Sequence, residues 1–177
     1  LALENRYSHE MAKKSLSIDF EYDYNFLLIG ICSPLKDYTI CYKLNKTLNK
    51  SFQRSKLDVL MNFTDAVEEA NFAQFEYWDE QYQNQWYLLA NKCKILCSDV
   101  NQNQGTIFDG LNQNRKKTKH LVPENPKVDF YIQIHGIYNE EAKKALIKHI
   151  KNIDRIVSVH EIDINNLRSK ENLIIDE

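Results

Sequence analysis

Glycine is scarce, four residues in a chain of 177. Loops that cradle phosphates are built from glycine, and neither G-x-G-x-x-G nor G-x-x-x-x-G-K-[ST] occurs, so nucleotide binding of the common kinds is not expected and no cofactor is expected. Long apolar runs are also missing. The longest, residues 26–31 with Gly30 inside it, is far short of the ~20 residues that cross a bilayer as a helix, and no lipidation motif is read, so no membrane association is expected. Charge of one sign is absent as well: the formal net charge is -2, which excludes a surface built wholly for nucleic acid, and DNA is not an expected partner. Cysteine is too thin for a disulfide scaffold. Four in this length, with no secretory signal read ahead of them, read as reduced thiols and point to a cytoplasmic protein.

What is present is an ordinary globular composition, 43% hydrophobic and 27% charged, which excludes the disordered class. At this length one domain is the default, with roughly two-thirds of the unfolded surface buried. The expected organisation is one α+β domain over residues 12–177, preceded by a non-native or disordered extension at 1–11, since Met11-Ala12-Lys13-Lys14 reads as a natural start.

Residues 26–32 are apolar on both alternating faces and predict a central strand, ended by Pro34. Asp37 stands as an N-cap, and Cys41, Leu44, Leu48 and Phe52 recur at helical spacing. Leu57, Val59, Met61 and Phe63 alternate as a half-buried strand. The aromatic segments 72–78 and 85–91 predict a hairpin, with 92–97 continuing or bending its second strand. Residues 98–120 read as a long mobile loop carrying the basic run Arg115-Lys116-Lys117-Thr118-Lys119 and a small apolar knot of Ile107, Phe108 and Leu111. A strand at 128–135, a helix capped by Asn139 and a strand at 155–162 complete the chain. Together these predict a mostly antiparallel sheet with two helices, a ferredoxin-like split β-α-β arrangement with an inserted hairpin.

The segment Leu121-Val122-Pro123-Glu124-Asn125-Pro126-Lys127-Val128-Asp129-Phe130 resembles the signature of the bacterial IPExxxVDY family, with Val122 for the Ile and Phe130 for the Tyr. Asp23-Tyr24, the Leu-Ile-Gly-Ile strand, Asp37-Tyr38, Leu44-Asn45-Lys46 and Asn91-Lys92 are similar to that family too, so the likeness covers most of the chain from Met11. The resemblance implies an identity and no particular chemistry. On the residues alone, Pro123 and Pro126 stiffen the approach to a strand, and Glu124 or Asp129 accepts backbone N–H groups at the turn.

The candidate chemistry is thin. Cys93 and Cys97 share a strand face, with Cys32 and Cys41 elsewhere, but the spacing is wrong for a metal knuckle; no metal site is expected, and the thiols read as small buried side chains. His135 and His160, near Asp129 and Glu161, form the one conceivable acid–base group, without a nucleophile or oxyanion donor beside it, so no catalytic residue is assigned. The expected function is that of a non-enzymatic protein-binding or adaptor protein, with Trp78 and Trp86 as binding residues, because Trp and Tyr dominate interface hot spots. The alternative is an RNA-associated accessory protein acting through Arg115, Lys116, Lys117 and Lys119, with Lys43, Lys46, Lys50, Arg54 and Lys56 extending the patch. An enzyme with a His/Asp cleft ranks last.

Overall fold

In the computed structural model, the residues described are 22, 24–98, 114–136 and 139–175. The chain forms β1 (Phe26–Cys32), α1 (Asp37–Leu48), β2 (Gln53–Arg54), β3 (Val59–Met61), β4 (Ala70–Phe72), β5 (Gln74–Asp79), β6 (Asn84–Ala90), β7 (Lys92–Ser98), β8 (Asn114–His120), β9 (Phe130–His135), α2 (Glu140–Lys151) and β10 (Ser158–Ile162), then two 3-10 turns at Ile164–Asn166 and Lys170–Leu173. The expected extension at 1–11 and the knot of Ile107, Phe108 and Leu111 lie outside the described residues.

Six strands form one sheet in the order β10-β1-β9-β6-β5-β2, every neighbouring pair antiparallel. Both β9 and β10 run against β1, so they are parallel to each other with β1 between them and α2 as their crossover. The same count of directions makes β1 and β2 parallel, joined by α1. This is the split β-α-β arrangement, and the β5–β6 hairpin is the insertion, lying between β9 and β2. The fold is α+β with a mostly antiparallel sheet.

Strand alternation divides the core into two layers. Ile29, Ile31, Trp86, Leu88, Ile132 and Ile134 face α1 and α2, whose Ile40, Leu44, Leu146 and Ile150 are buried against them. Phe26, Leu28, Leu89 and Tyr131 face the other way, onto Phe72, Ile95, Cys97, Leu121, Ile164 and Leu173. That second face is covered by two small antiparallel ribbons, β3–β4 and β7–β8, and by the C-terminal 3-10 turns. With both faces covered, β1 must be apolar throughout, which is the pattern its sequence shows.

Local chemistry sets the helices. Asn139 caps α2 by accepting the Ala142 N–H at 2.7 Å, while Glu140 and Glu141 start it and Lys148 and Lys151 end it, as the helix dipole favours. For α1 the cap lies one residue earlier than expected: Lys36 occupies it without a side-chain bond, and Asp37 is the first helical residue.

Three expectations are corrected. First, α1 stops at Leu48, where Asn49 turns left-handed (φ 51°), and Phe52 joins the helix-side core from extended chain. Asn45 holds it there, accepting the Phe52 N–H at 2.8 Å and donating to its carbonyl at 3.0 Å. Second, because the chain regains the sheet at once, the strand that follows α1 in the main sheet is Gln53–Arg54, paired with β5, rather than 57–63; Leu57 is 76% exposed, and β3 pairs with β4 outside the main sheet. Third, the 98–120 segment is not a loop throughout, since Asn114–His120 is a strand paired along its length with β7.

Three of the five cations expected to form a basic patch on and after α1 are paired instead. Lys43 pairs with Asp154 at 3.4 Å, and Arg54 with Asp58. Lys50 forms an ion pair with buried Asp79 and lies 4.9 Å from the Trp86 ring centroid and 5.1 Å from that of Tyr77. In addition the buried side of α1 packs on the opposite sheet face from the β7–β8 ribbon, and it is the first residues of the helix that come near β7.

Asp79 fixes the hairpin turn by accepting the N–H groups of Gln81 and Tyr82 at 3.1 and 3.3 Å. Burial works to raise its pKa, but the Lys50 ammonium and the two N–H bonds outweigh it and hold the carboxyl below its ordinary 3.8. A depressed carboxyl stabilises the fold above its unfolded pKa, and that contribution disappears as pH falls through the folded value. Urea unfolding of wild type and Asp79→Asn should therefore differ by a constant amount at neutral pH, the gap narrowing below 3.8. Lys50→Met, which leaves the carboxylate without its cation, should cost about 2 kcal/mol at neutral pH.

Candidate functional site

The segment that follows β8 meets the end of β6 at a corner whose centre is Asn91. This side chain is fully buried. Its Nδ2 donates to the carbonyls of Asn125 (3.0 Å) and Val128 (2.8 Å), and its Oδ1 accepts the Val122 N–H at 2.8 Å. Its backbone N–H donates to the Asp129 carbonyl and its carbonyl accepts the Leu121 N–H, each at 2.9 Å. One residue thus satisfies polar groups along the whole stretch 121–129. Two consecutive turns shape that stretch: the Asn125 N–H donates to Val122 O and the Val128 N–H to Asn125 O, both at 3.1 Å. Pro123 and Pro126 sit in those turns, each followed or preceded by a residue that Asn91 holds.

The carboxylates of the stretch reach beyond it. Asp129 accepts the Ser33 N–H at 2.7 Å and pairs with Lys92 at 2.5 Å, tying the corner to the end of β1. Ser33 is itself buried, its Oγ donating to Arg155 O at 2.9 Å and accepting the Leu35 N–H at 3.3 Å. Glu124 accepts the Ser169 N–H at 2.7 Å and its hydroxyl at 2.6 Å, fastening the C-terminal turns. Burial would raise the Glu124 pKa, yet the Ser169 bonds hold it below the ordinary value. Tyr131 lies fully buried behind the corner, and burial pushes its hydroxyl well above the ordinary tyrosine value.

Beside the corner opens a cleft of about 560 Å³ between the start of α1, the end of β1 and β7. Ser33, Lys36, Asp37, Lys92, Lys94 and Asp129 line it.

The structure separates most of the residues the sequence grouped. Trp86 is 2% exposed, packed edge-on against Phe52, so it belongs to the core and not to a binding surface. Trp78 is 48% exposed and Tyr82 64% exposed, both at the end of the hairpin. The basic run is divided by its own alternation: Arg115, Lys117 and Lys119 lie opposite Cys97, Ile95 and Cys93 on the inner side of the ribbon, while Lys116 lies on the outer side with Lys92 and Lys94. Asp65 takes up much of the inner charge, reaching Lys119 at 2.5 Å and Lys117 at 3.6 Å.

The histidine cluster does not form. His135 pairs with Phe26 and His160 with Gly30 on opposite edges of β1, two strand spacings apart and about 13 Å displaced along the strand. His135 is instead wedged among Phe26, Tyr87 and Gln133. All four cysteines are free thiols, and burial pushes Cys41 up to about 11 and also raises Cys93, away from the thiolate form that reacts or binds metal. Among the described residues no group of three or more His, Cys, Asp or Glu is gathered for a metal ion. No helix among them is long and apolar enough to cross a membrane.

Comparison of the chain with protein-family models, with curated proteins and with solved structures found no match.

Asn91 was missed as a key residue because it reads as the last residue of a strand that continues into 92–97, and its bonds span 31 to 37 residues of sequence. Substitution with Ala removes three side-chain bonds and leaves buried backbone groups unpaired, which should cost about 2–4 kcal/mol in urea unfolding. Asn91→Asp should not rescue it, since a carboxylate cannot donate to the Asn125 and Val128 carbonyls.

Proposed function

We propose that this chain is a non-enzymatic protein-binding protein whose contact surface is the end of the β5–β6 hairpin. The observation that carries this reading is the state of Trp78. The residue is 48% exposed between half-buried Tyr77 and buried Asp79, and its side chain makes no ring contact or hydrogen bond among the described residues. Tyr82 stands exposed four residues on, in the turn that Asp79 fixes. Large aromatic side chains on a rigid turn are the residues that anchor interfaces at low entropic cost. A second cleft, also about 560 Å³, adjoins them, lined by Leu48, Asn49 and Lys50 at the end of α1 and by the hairpin residues. The dispersal of His135 and His160 supports a reading without catalysis. Membership of the IPExxxVDY family is part of the same proposal, and the residues that carry the likeness, Glu124, Asp129 and Asn91-Lys92, have structural partners at the corner.

The test is photo-crosslinking in cells with a photoreactive residue at position 82. One discrete adduct is expected, lost in a Trp78→Ala background. Trp78→Ala should change stability by less than about 0.5 kcal/mol, whereas Trp86→Ala should cost about 3–5 kcal/mol. A stable Trp78→Ala protein that forms the same adducts as wild type would contradict the proposal.

A further inference from the structure

The cleft beside the Asn91 corner has a charge pattern that the hairpin reading does not use. Two separate segments bring three lysines to it, Lys36 from the start of α1 and Lys92 and Lys94 from β7, against two carboxylates, Asp37 and Asp129. The carboxylates are occupied. Asp129 is held by Lys92 and the Ser33 N–H, and Asp37 accepts the Tyr38 N–H at 2.9 Å. Among the described residues neither Lys36 nor Lys94 has an ion-pair partner, and both are exposed at the rim. Three lysines against two aspartates leave one positive charge in excess. The same sign continues outward: Lys116, opposite Leu96, lies diagonally across from Lys94 on the outer face of the ribbon, at a spacing of about 7–8 Å.

We propose that this cleft binds a phosphate group, held between Lys36 and Lys94, with Lys92 kept in position by Asp129 and Lys116 extending the site along the ribbon. Two ammoniums arriving from different elements act as point charges and call for an acceptor with oxygens in several directions, which a tetrahedral phosphate has and a planar carboxylate lacks. No arginine lines the cleft to offer a carboxylate its matching fork, and no exposed ring lines it to stack a base. Recognition therefore goes to the phosphate, which belongs either to a free phosphate compound or to the backbone of an RNA strand. The site lies at the start of α1, whereas Trp78 adjoins its end, about 18 Å away along the helix axis, so the two readings fail or stand separately.

The full chain is titrated at low ionic strength with inorganic pyrophosphate, with a short single-stranded RNA and with a glutamate oligomer, followed by amide chemical shifts. Binding centred on residues 33–37 and 92–94 is expected, weakened about tenfold or more in Lys36→Gln/Lys94→Gln. Thermal unfolding of that variant should be unchanged because both side chains are exposed. Saturation by pyrophosphate identifies a free phosphate compound. Binding of RNA alone, weakened further by Lys116→Gln and by salt, identifies a backbone phosphate. No binding, binding indifferent to the double variant, or equal binding of the glutamate oligomer overturns the proposal.

Discussion

Everything distinctive about this fold passes through one buried amide. The β6 strand ends in the main sheet, β7 begins in a ribbon on its far face, and Asn91 is the single residue between them. A chain that changes layers so abruptly leaves backbone groups without ladder partners in a place water does not reach, and each would cost about 1–3 kcal/mol unpaired. Asn91 resolves this by pairing with Leu121, Val122, Asn125, Val128 and Asp129. The stretch so held then places Asp129 against β1 and Glu124 against the C-terminal turns, so the order of the second layer follows from that of the first.

How far the sequence reveals this depends on whether the cause is local. Helix α2 is legible because Asn139, Glu140, Glu141 and Lys148 act within a few residues of where they stand. Strand β1 and the hairpin are legible because alternation and aromatic content are local patterns too. Strand β8 is not: a run of basic residues carries no strand pattern, and it is a strand because β7 offers it a full ladder and Asp65 neutralises two of its lysines. Phe52 illustrates the same limit, since helical spacing places it correctly in the core but Asn45 and the left-handed Asn49 decide that it arrives as extended chain.

The candidate sites divide likewise. That Trp78 and Trp86 differ cannot be read from two tryptophans eight residues apart in a hairpin; the registers opposite Gln85 and Tyr77, and the helices on one face only, decide it. The lysine-lined cleft was invisible because Lys36, Lys92 and Lys94 meet only once the corner has formed. The basic run, conspicuous in sequence, is largely spent on holding the ribbon to Asp65 and Phe63.

The corner should open only together with the whole molecule. Native-state hydrogen exchange of the Val122 and Asp129 amides, which donate to Asn91 Oδ1 and Ile31 O, measures this directly. Both should exchange at the global unfolding free energy, together with the amides of β1 and β9. Exchange of Val122 and Asp129 through a local opening of much lower free energy, while β1 and β9 remain protected, would show that the corner is an appendage to the fold and not its constraint.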